Sequence, residues 1–440
     1  MSGTLVHDSH ILHEMRPLYY VAKALGIAPF SFKMNKVTNK EVVDIRFISN
    51  IGGFTVSAVI FITLLTGFIS CAVEPEFSFR SDPGDALCNT ISVPINLISS
   101  LLLVIMTSTI HRYKAEELVD KLNVIDEGLC QIRGECTYLR DKNKVQLYIP
   151  ILALTTSFMC YDAFVWSKHL NITFCIIKRF SHLITLVAIM HFCKLVQTIR
   201  SRLFGIHEIL SLIISGKLSQ TSSSYIFSHE SRKAINKACT FGSNIMQMTS
   251  VDVLSNPMSL KNVTADLKTL PVTDMQTILN LRIIYNHIYE CAKIINFLFG
   301  ITVLIDMSRT FTGLTAGVYS VVIFFNEPIE DVTSLNFSEF VISRTIWIII
   351  LLGTIVSLTA ICEMAASSAK GVGHKVQTLL LENPLRNDVL EQLKLFSQQI
   401  SNDKIQFTAS GLFTINLSLF CTFMASVTTY IIVLYQFKPY

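Results

Sequence analysis

Charged residues are scarce in this sequence, 15% of 440 positions, where a soluble domain carries roughly a quarter. That scarcity, with a mean hydropathy of +0.49, excludes an ordinary soluble globular chain and makes a polytopic membrane protein the expectation. Paired cysteines are missing too. The eleven cysteines are scattered with no CxxC, so neither a zinc site nor a disulfide framework is indicated. No HExxH, Gly-rich phosphate loop or GxSxG occurs, so no catalytic, cofactor-binding or metal site is expected, and the chain does not read as an enzyme. The spacing of His7, His10 and His13 could suit a transition metal, but their polar segment favours a solvated tail. A net charge of +4 suggests no nucleic-acid partner. The first 46 residues mix both charge signs and lack the short basic head and apolar core of a cleavable signal peptide.

What is abundant is long apolar stretches. Segments near the ~20 residues needed to cross about 30 Å of hydrocarbon fall at 47–73, 91–110, 146–167, 172–195, 294–325, 341–366 and 411–437. The fold class is therefore all-α, with seven transmembrane helices. The longest polar connection, 196–292, contains a Ser-rich piece, and its last part keeps helical apolar spacing into the fifth span. That span is too long to cross upright and should tilt, with Gly313 and Gly317 as bends.

Basic residues set the orientation. The N-terminal tail has six Lys/Arg, and the second-to-third, fourth-to-fifth and sixth-to-seventh connections have seven, ten and five. The opposite side is nearly bare, its weak point being the third-to-fourth turn with Lys168, Lys178 and Arg179. The N-terminus is thus expected in the cytoplasm and the C-terminus outside, the reverse of G-protein-coupled receptors. The sequons at Asn171 and Asn336 fall outside, Asn262 inside, and Asn416 within a span. Cys71, Cys88, Cys160 and Cys175 lie at or near the outer face, where a pair such as Cys88 with Cys175 could be bridged.

In the last span, Ser418, Thr422, Ser426, Thr429, Val433 and Gln436 recur at steps of three and four and share one helical face. Phe420, Phe423, Tyr430 and Phe437 take the other. Two readings stay open for a stripe that hydrocarbon cannot solvate: a seam packed against another helix, or the wall of a water-filled pore. A transporter is a further alternative, although the chain has no internal repeat.

Thr429-Tyr430, five residues and then Gln436-Phe437 resembles the TYhhhhhQF signature of insect gustatory receptors, a family in the insect chemoreceptor superfamily. The lead-in Ile405 to Phe420, the early PLYYVAKALGIAPFSFK, KLNVIDEGL and SSAKGVGHKVQTLL extend the likeness along the chain; Tyr435 is more polar than the usual aliphatic residue. The resemblance implies a tastant-gated, non-selective cation channel in the plasma membrane of gustatory neurons. It would be a homotetramer or a heteromer with other receptor subunits, its partners being a small-molecule tastant, lipid and cations. Each subunit would give its last helix to a central pore, with Gln436 and Phe437 near the outer gate. The expected divisions are a cytoplasmic tail over 1–46, a six-helix ligand-binding bundle over 47–366, a cytoplasmic connection with an anchor helix over 367–410, and the pore helix with its short tail over 411–440. The anchor is RNDVLEQLKLFSQQI, with Val389, Leu390, Leu393, Phe396 and Ile400 on one side.

Ionisable groups inside spans need a partner or a task. Asp162, Trp166, Asp306, Arg309, Arg344 and Trp347 are the candidate ligand pocket, since rings stack on apolar ligand faces while charged groups fix hydroxyls or amines. The alternative is that Asp306 and Arg309 neutralise each other on one helix face, and that Trp166, Arg344 and Trp347 are interfacial anchors. Neither a sugar nor a bitter compound is favoured.

Overall fold

The structure is a computed structural model that describes residues 18–27, 30–36, 43–49, 51–73, 83–109, 111–133, 142–167, 172–215, 272–326, 337–382 and 386–436. Among these residues the architecture is a helical bundle: α1 (Ile51–Val73), α2 (Pro83–Thr109), α3 (His111–Arg133), α4 (Lys142–Ser167), α5 (Ile172–Ile214), α6 (Val272–Asn326), α7 (Phe337–Glu382), α8 (Asn387–Asn402) and α9 (Leu417–Gln436). Six helices are long and apolar enough to cross a bilayer, and α2 adds a shorter apolar stretch, Val93–Thr107. His7, His10, His13, Asn171, Asn262, Asn336 and Phe437 lie outside the described residues, as do the side chains of Cys71 and Cys88.

Several boundaries differ from the sequence expectation for one reason. Apolar windows find only the part of a helix that sits in hydrocarbon, whereas α5, α6 and α7 continue well beyond it, to 43, 55 and 46 residues. At about 1.5 Å per residue, α6 is a rod of roughly 80 Å. The helical spacing read before the fifth span is thus the first half of one uninterrupted helix. The extensions have apolar faces that build the main core: Ile199, Ile206, Leu281, Ile288, Val372 and Val376 are all buried there. Below about 30 Å of hydrocarbon, such faces need one another rather than lipid.

Helix α6 runs through Gly313 and Gly317 without a break. A Cβ at Gly313 would lie 3.0 Å from Leu351 Cδ1, and one at Gly317 would lie 3.2 Å from Ile348 Cγ1. Both permit close approach of α7, the usual use of small residues between membrane helices.

The N-terminal 1–46 region is more than a tail. Residues 18–24 form a helical turn whose Leu18, Tyr19 and Ala22 are buried. Gly26, at φ +69°, turns the chain so that its carbonyl accepts a 2.7 Å hydrogen bond from Ser57 Oγ of α1. Strands β1 (Phe30–Lys36) and β2 (Val43–Ser49) then pair antiparallel, and α1 starts at Ile51 instead of 47.

Helix α8 bears out the amphipathic reading: Val389, Leu393 and Phe396 are buried, and it packs on α6 and α7. Arg282 of α6 donates to Gln399 Oε1 at 2.9 Å and to Gln392 Oε1 at 3.3 Å. The following segment folds into a two-stranded turn, β3 (Thr408–Ala409) and β4 (Phe413–Thr414), so the last helix starts at Leu417 and not at 411. Asn416 is not within the span but caps it, its Oδ1 accepting from the Leu419 amide at 2.8 Å. Cys175 is buried as a free thiol, which removes the Cys88–Cys175 bridge.

Candidate ligand site and last helix

The six pocket candidates fall into one layer, joined by side chains that the sequence reading did not include. Asp162 of α4 is fully buried, so its charge requires donors. It has three. Trp347 Nε1 donates at 3.0 Å, Ser343 Oγ donates as well, and Arg179 of α5 forms an ion pair with it. The Arg179 guanidinium also lies 4.7 Å from the centre of the Trp347 ring.

The layer continues through His182 of α5, whose ring centre is 4.8 Å from that of Trp347. Its Nδ1 accepts from Arg309 Nη1 at 2.8 Å, since a guanidinium has no acceptor of its own. Arg309 in turn donates from Nε and Nη2 to Asp306 Oδ1 at 3.0 and 2.5 Å. Asp306 and Arg309 therefore do neutralise each other along α6, yet they also belong to the wider network. Trp166 and Arg344 sit at its other end, the Arg344 guanidinium 5.0 Å from the Trp166 ring centre and 5.4 Å from that of Phe340. Both tryptophans are buried, so neither stands at the surface of the chain as an anchor would.

Four helices thus converge: α4 with Asp162 and Trp166, α5 with Arg179 and His182, α6 with Asp306 and Arg309, and α7 with Ser343, Arg344 and Trp347. On the α2 side, Ser100 and Ser181 hydroxyls meet at 2.6 Å. Beside them Asn96 is buried with neither amide atom hydrogen-bonded among the described residues. Arg179 Nε and Arg344 Nε are also buried without such partners. Unpaired buried donors cost about 1–3 kcal/mol each, so the layer has hydrogen-bonding capacity that a polar guest could take up. Beside it, a cavity of 330 Å³ lies between α4 and α5, lined by Thr156, Met159, Phe164, Ile176, Phe180 and Arg179 among others.

Helix α9 has the opposite character. Only 11% of its span is buried within the chain. Phe423 and Val427 are buried, and Phe311 of α6 meets Phe423 and Tyr430 edge-on at 5.8 and 5.4 Å between ring centres. Ser418, Thr422, Thr429, Val433 and Gln436 are exposed, Ser426 half-exposed. Its hydroxyls turn back on their own backbone, Thr429 Oγ1 donating to Ala425 O at 3.0 Å and Ser426 Oγ to Thr422 O at 3.0 Å.

The lead-in turn holds α9 on α6. Asn296 donates from Nδ2 to Gln406 O at 2.8 Å and accepts from the Thr408 amide at 3.1 Å. A Cβ on Gly300 would lie 2.9 Å from the Ser410 nitrogen, so the turn rests directly on the α6 backbone.

Such a bundle, with a buried polar layer and a last helix almost uncovered by its own chain, has the form of a multi-pass membrane receptor. Residues 15–440 match the family model described as 7tm chemosensory receptor, and the chain belongs to that family, within the insect chemoreceptor superfamily. Among curated proteins it is similar to gustatory receptor 28b of Drosophila melanogaster, 23% identical over 96% of this chain and 85% of that one. It is also similar to gustatory receptor 28a of the same organism, 21% identical over 98% of this chain and 92% of that one. These relatives are chemosensory receptors, not enzymes. Among solved structures, the insect olfactory receptor OR5 from Machilis hrabei shares the fold. Its structure in complex with eugenol has TM-score 0.65 at 13% identity over 98% of this chain and all of that one, and a second OR5 structure has TM-score 0.62 at 12% identity over 97% and 98%.

Proposed function

We propose that the chain is a gustatory receptor subunit, a tastant-gated non-selective cation channel in which copies of α9 surround a shared axis. The observation that carries this is the split of α9: its aromatic edge packs on α6, and its edge of Ser418, Thr422, Thr429, Val433 and Gln436, with Ser426 half-exposed, is left largely uncovered by the described residues. Exposed to acyl chains, Gln436 would lack partners for its amide; around a symmetry axis, water and its symmetry mates solvate it. Gln436 with Phe437 forms the outer gate in this reading. The N-terminus and α8 are cytoplasmic, the C-terminus is extracellular, and the assembly is a tetramer of identical or mixed subunits in the gustatory neuron membrane.

The ligand site is the layer of Asp162, Trp166, Asp306, Arg309, Arg344 and Trp347, extended by Arg179 and His182. That OR5 is solved with eugenol supports a small-molecule ligand in this fold. Opening requires that the ligand bind the open state more tightly. Helix α6 carries Asp306 and Arg309 in the layer, Phe311 against α9, and Asn296 and Gly300 under the lead-in turn. It is therefore the direct mechanical route from ligand to pore.

The test is expression in oocytes, alone and with a co-receptor, while sugars and alkaloids are applied and current is recorded. A ligand-evoked current carried by both sodium and potassium, with selectivity or conductance altered by Gln436→Ala, is expected. Ligand binding without current, and a Gln436→Ala effect confined to assembly, would make the stripe a packing seam. Coupled uptake of the ligand would make the protein a transporter.

A further inference from the structure

We infer that the cavity between α4 and α5 holds an amphiphile with an anionic head, a medium- to long-chain carboxylate, with its head on Arg179 and its chain along the groove. This names the ligand class of the outer site proposed above and rests on that site being the one that binds ligand.

Three features of the site point the same way. The first is the shape and lining of the cavity. It measures 330 Å³ and is walled by Met159, Phe164, Ile176, Phe180 and Leu183, with Arg179 as its one charged lining residue. Phe164 and Ile176 are more than half exposed, so the groove opens on the flank of the bundle that faces lipid in a seven-span arrangement. A guest can enter sideways from the bilayer, as a long-chain acid does.

The second is the charge of the layer behind it. Among the described residues of the layer, three arginines, Arg179, Arg309 and Arg344, with Lys178 beside them, stand against two carboxylates, Asp162 and Asp306. Asp306 is taken by Arg309. Asp162 already has three donors, Arg179, Ser343 and Trp347. Lys178 and Arg344 both lie within electrostatic reach of Arg179. An incoming carboxylate relieves repulsion among these cations, and a protonated amine adds to it.

The third is a donor left over. Arg179 is held in place by Asp162 and by the face of Trp347, but its buried Nε has no hydrogen-bond partner among the described residues. Arg179 lines the groove, and rotation of its side chain toward it would present this unused donor to a carboxylate head, giving a charge-assisted bond.

The experiment uses the full-length receptor in nanodiscs of phosphatidylcholine and a diazirine-bearing dodecanoate as photolabel. Dodecanoate is expected to compete at a concentration at least about tenfold lower than dodecanol, and dodecylamine to compete worse than either. The label should map to α4 and α5 peptides. Arg179→Gln should bring the acid-to-alcohol preference close to one. Because that change also removes the counter-charge of Asp162, Ile176→Trp and Leu183→Trp, which fill the groove and leave Arg179 in place, should each abolish labelling. Equal competition by the alcohol or the amine overturns the inference, and so does labelling elsewhere or labelling that survives both tryptophan variants. Binding is read without current. Labelling of a protein that never conducts removes the channel reading alone, and currents evoked by other tastants with no labelling remove this inference alone.

Discussion

Trp347 Nε1 donates to Asp162 Oδ2 at 3.0 Å across the α4–α7 interface, joining a ring able to stack on a ligand to the most deeply buried carboxylate of the polar layer. Trp347→Phe keeps an aromatic ring and removes one donor, which corresponds to about 1 kcal/mol. The half-maximal agonist concentration should increase roughly fivefold at unchanged surface expression. Dose-response curves paired with surface biotinylation check this.

Asp162→Ala should behave differently. It leaves Arg179 charged, buried and unpaired, and losing one partner of a buried pair costs about 3–5 kcal/mol. The expected result is loss of mature receptor from the surface. Asp162→Asn, which still accepts from Trp347, should retain more surface protein than Asp162→Ala.

On the opposite side of the molecule, Arg202 of α5 donates to Asp126 of α3 from Nε and Nη2 at 2.9 and 2.8 Å. Both residues are buried. Arg202→Met alone should destabilise the receptor by about 3–5 kcal/mol, seen as a drop in melting temperature of the detergent-solubilised protein. Adding Asp126→Leu should restore most of it, because the double change leaves no orphaned charge.

The lead-in turn offers a test of coupling. Gly300→Ala places a methyl 2.9 Å from the Ser410 nitrogen, and backbone there can yield only by moving the turn. Ligand binding should be retained while the maximal current falls, measured as photolabel or radioligand occupancy against current in the same preparation. Asn296→Ala, which frees Gln406 O and the Thr408 amide, should act in the same direction.

The long apolar runs made the span number legible, and the spacing of Val389, Leu393 and Phe396 made α8 legible, because both signals depend only on local periodicity. The polar stripe of α9 was visible for the same reason. What was missed depends on contacts between distant segments. Lys178 and Arg179 were counted with the third-to-fourth turn although the fourth span was read from 172, where α5 does begin; Arg179 pairs with Asp162 in the polar layer, and that buried carboxylate, needing a counter-charge, was the available signal. His182 gave no such signal, since an isolated histidine in an apolar run looks like any other. The Arg202–Asp126 pair, 76 residues apart, joins two segments that both read as polar connections. The β3–β4 turn was hidden because Leu412, Phe413 and Ile415 extend the apolar run of the helix that follows, and the Ser410-Gly411 pair, both at positive φ, was its local mark.

The central claim is tested most directly by cysteine accessibility along α9. Thr422, Ser426, Thr429 and Gln436, and separately Phe423 and Tyr430, are replaced one at a time by cysteine, and a charged thiol reagent is applied from outside during agonist-evoked current. The account requires that the first group be modified, with current reduced and faster reaction in the open state, and that the second group stay unaffected. Modification of Tyr430 or Phe423 with silence at Thr429 and Gln436 would contradict it, because the hydrophilic edge would then face something other than the ion path.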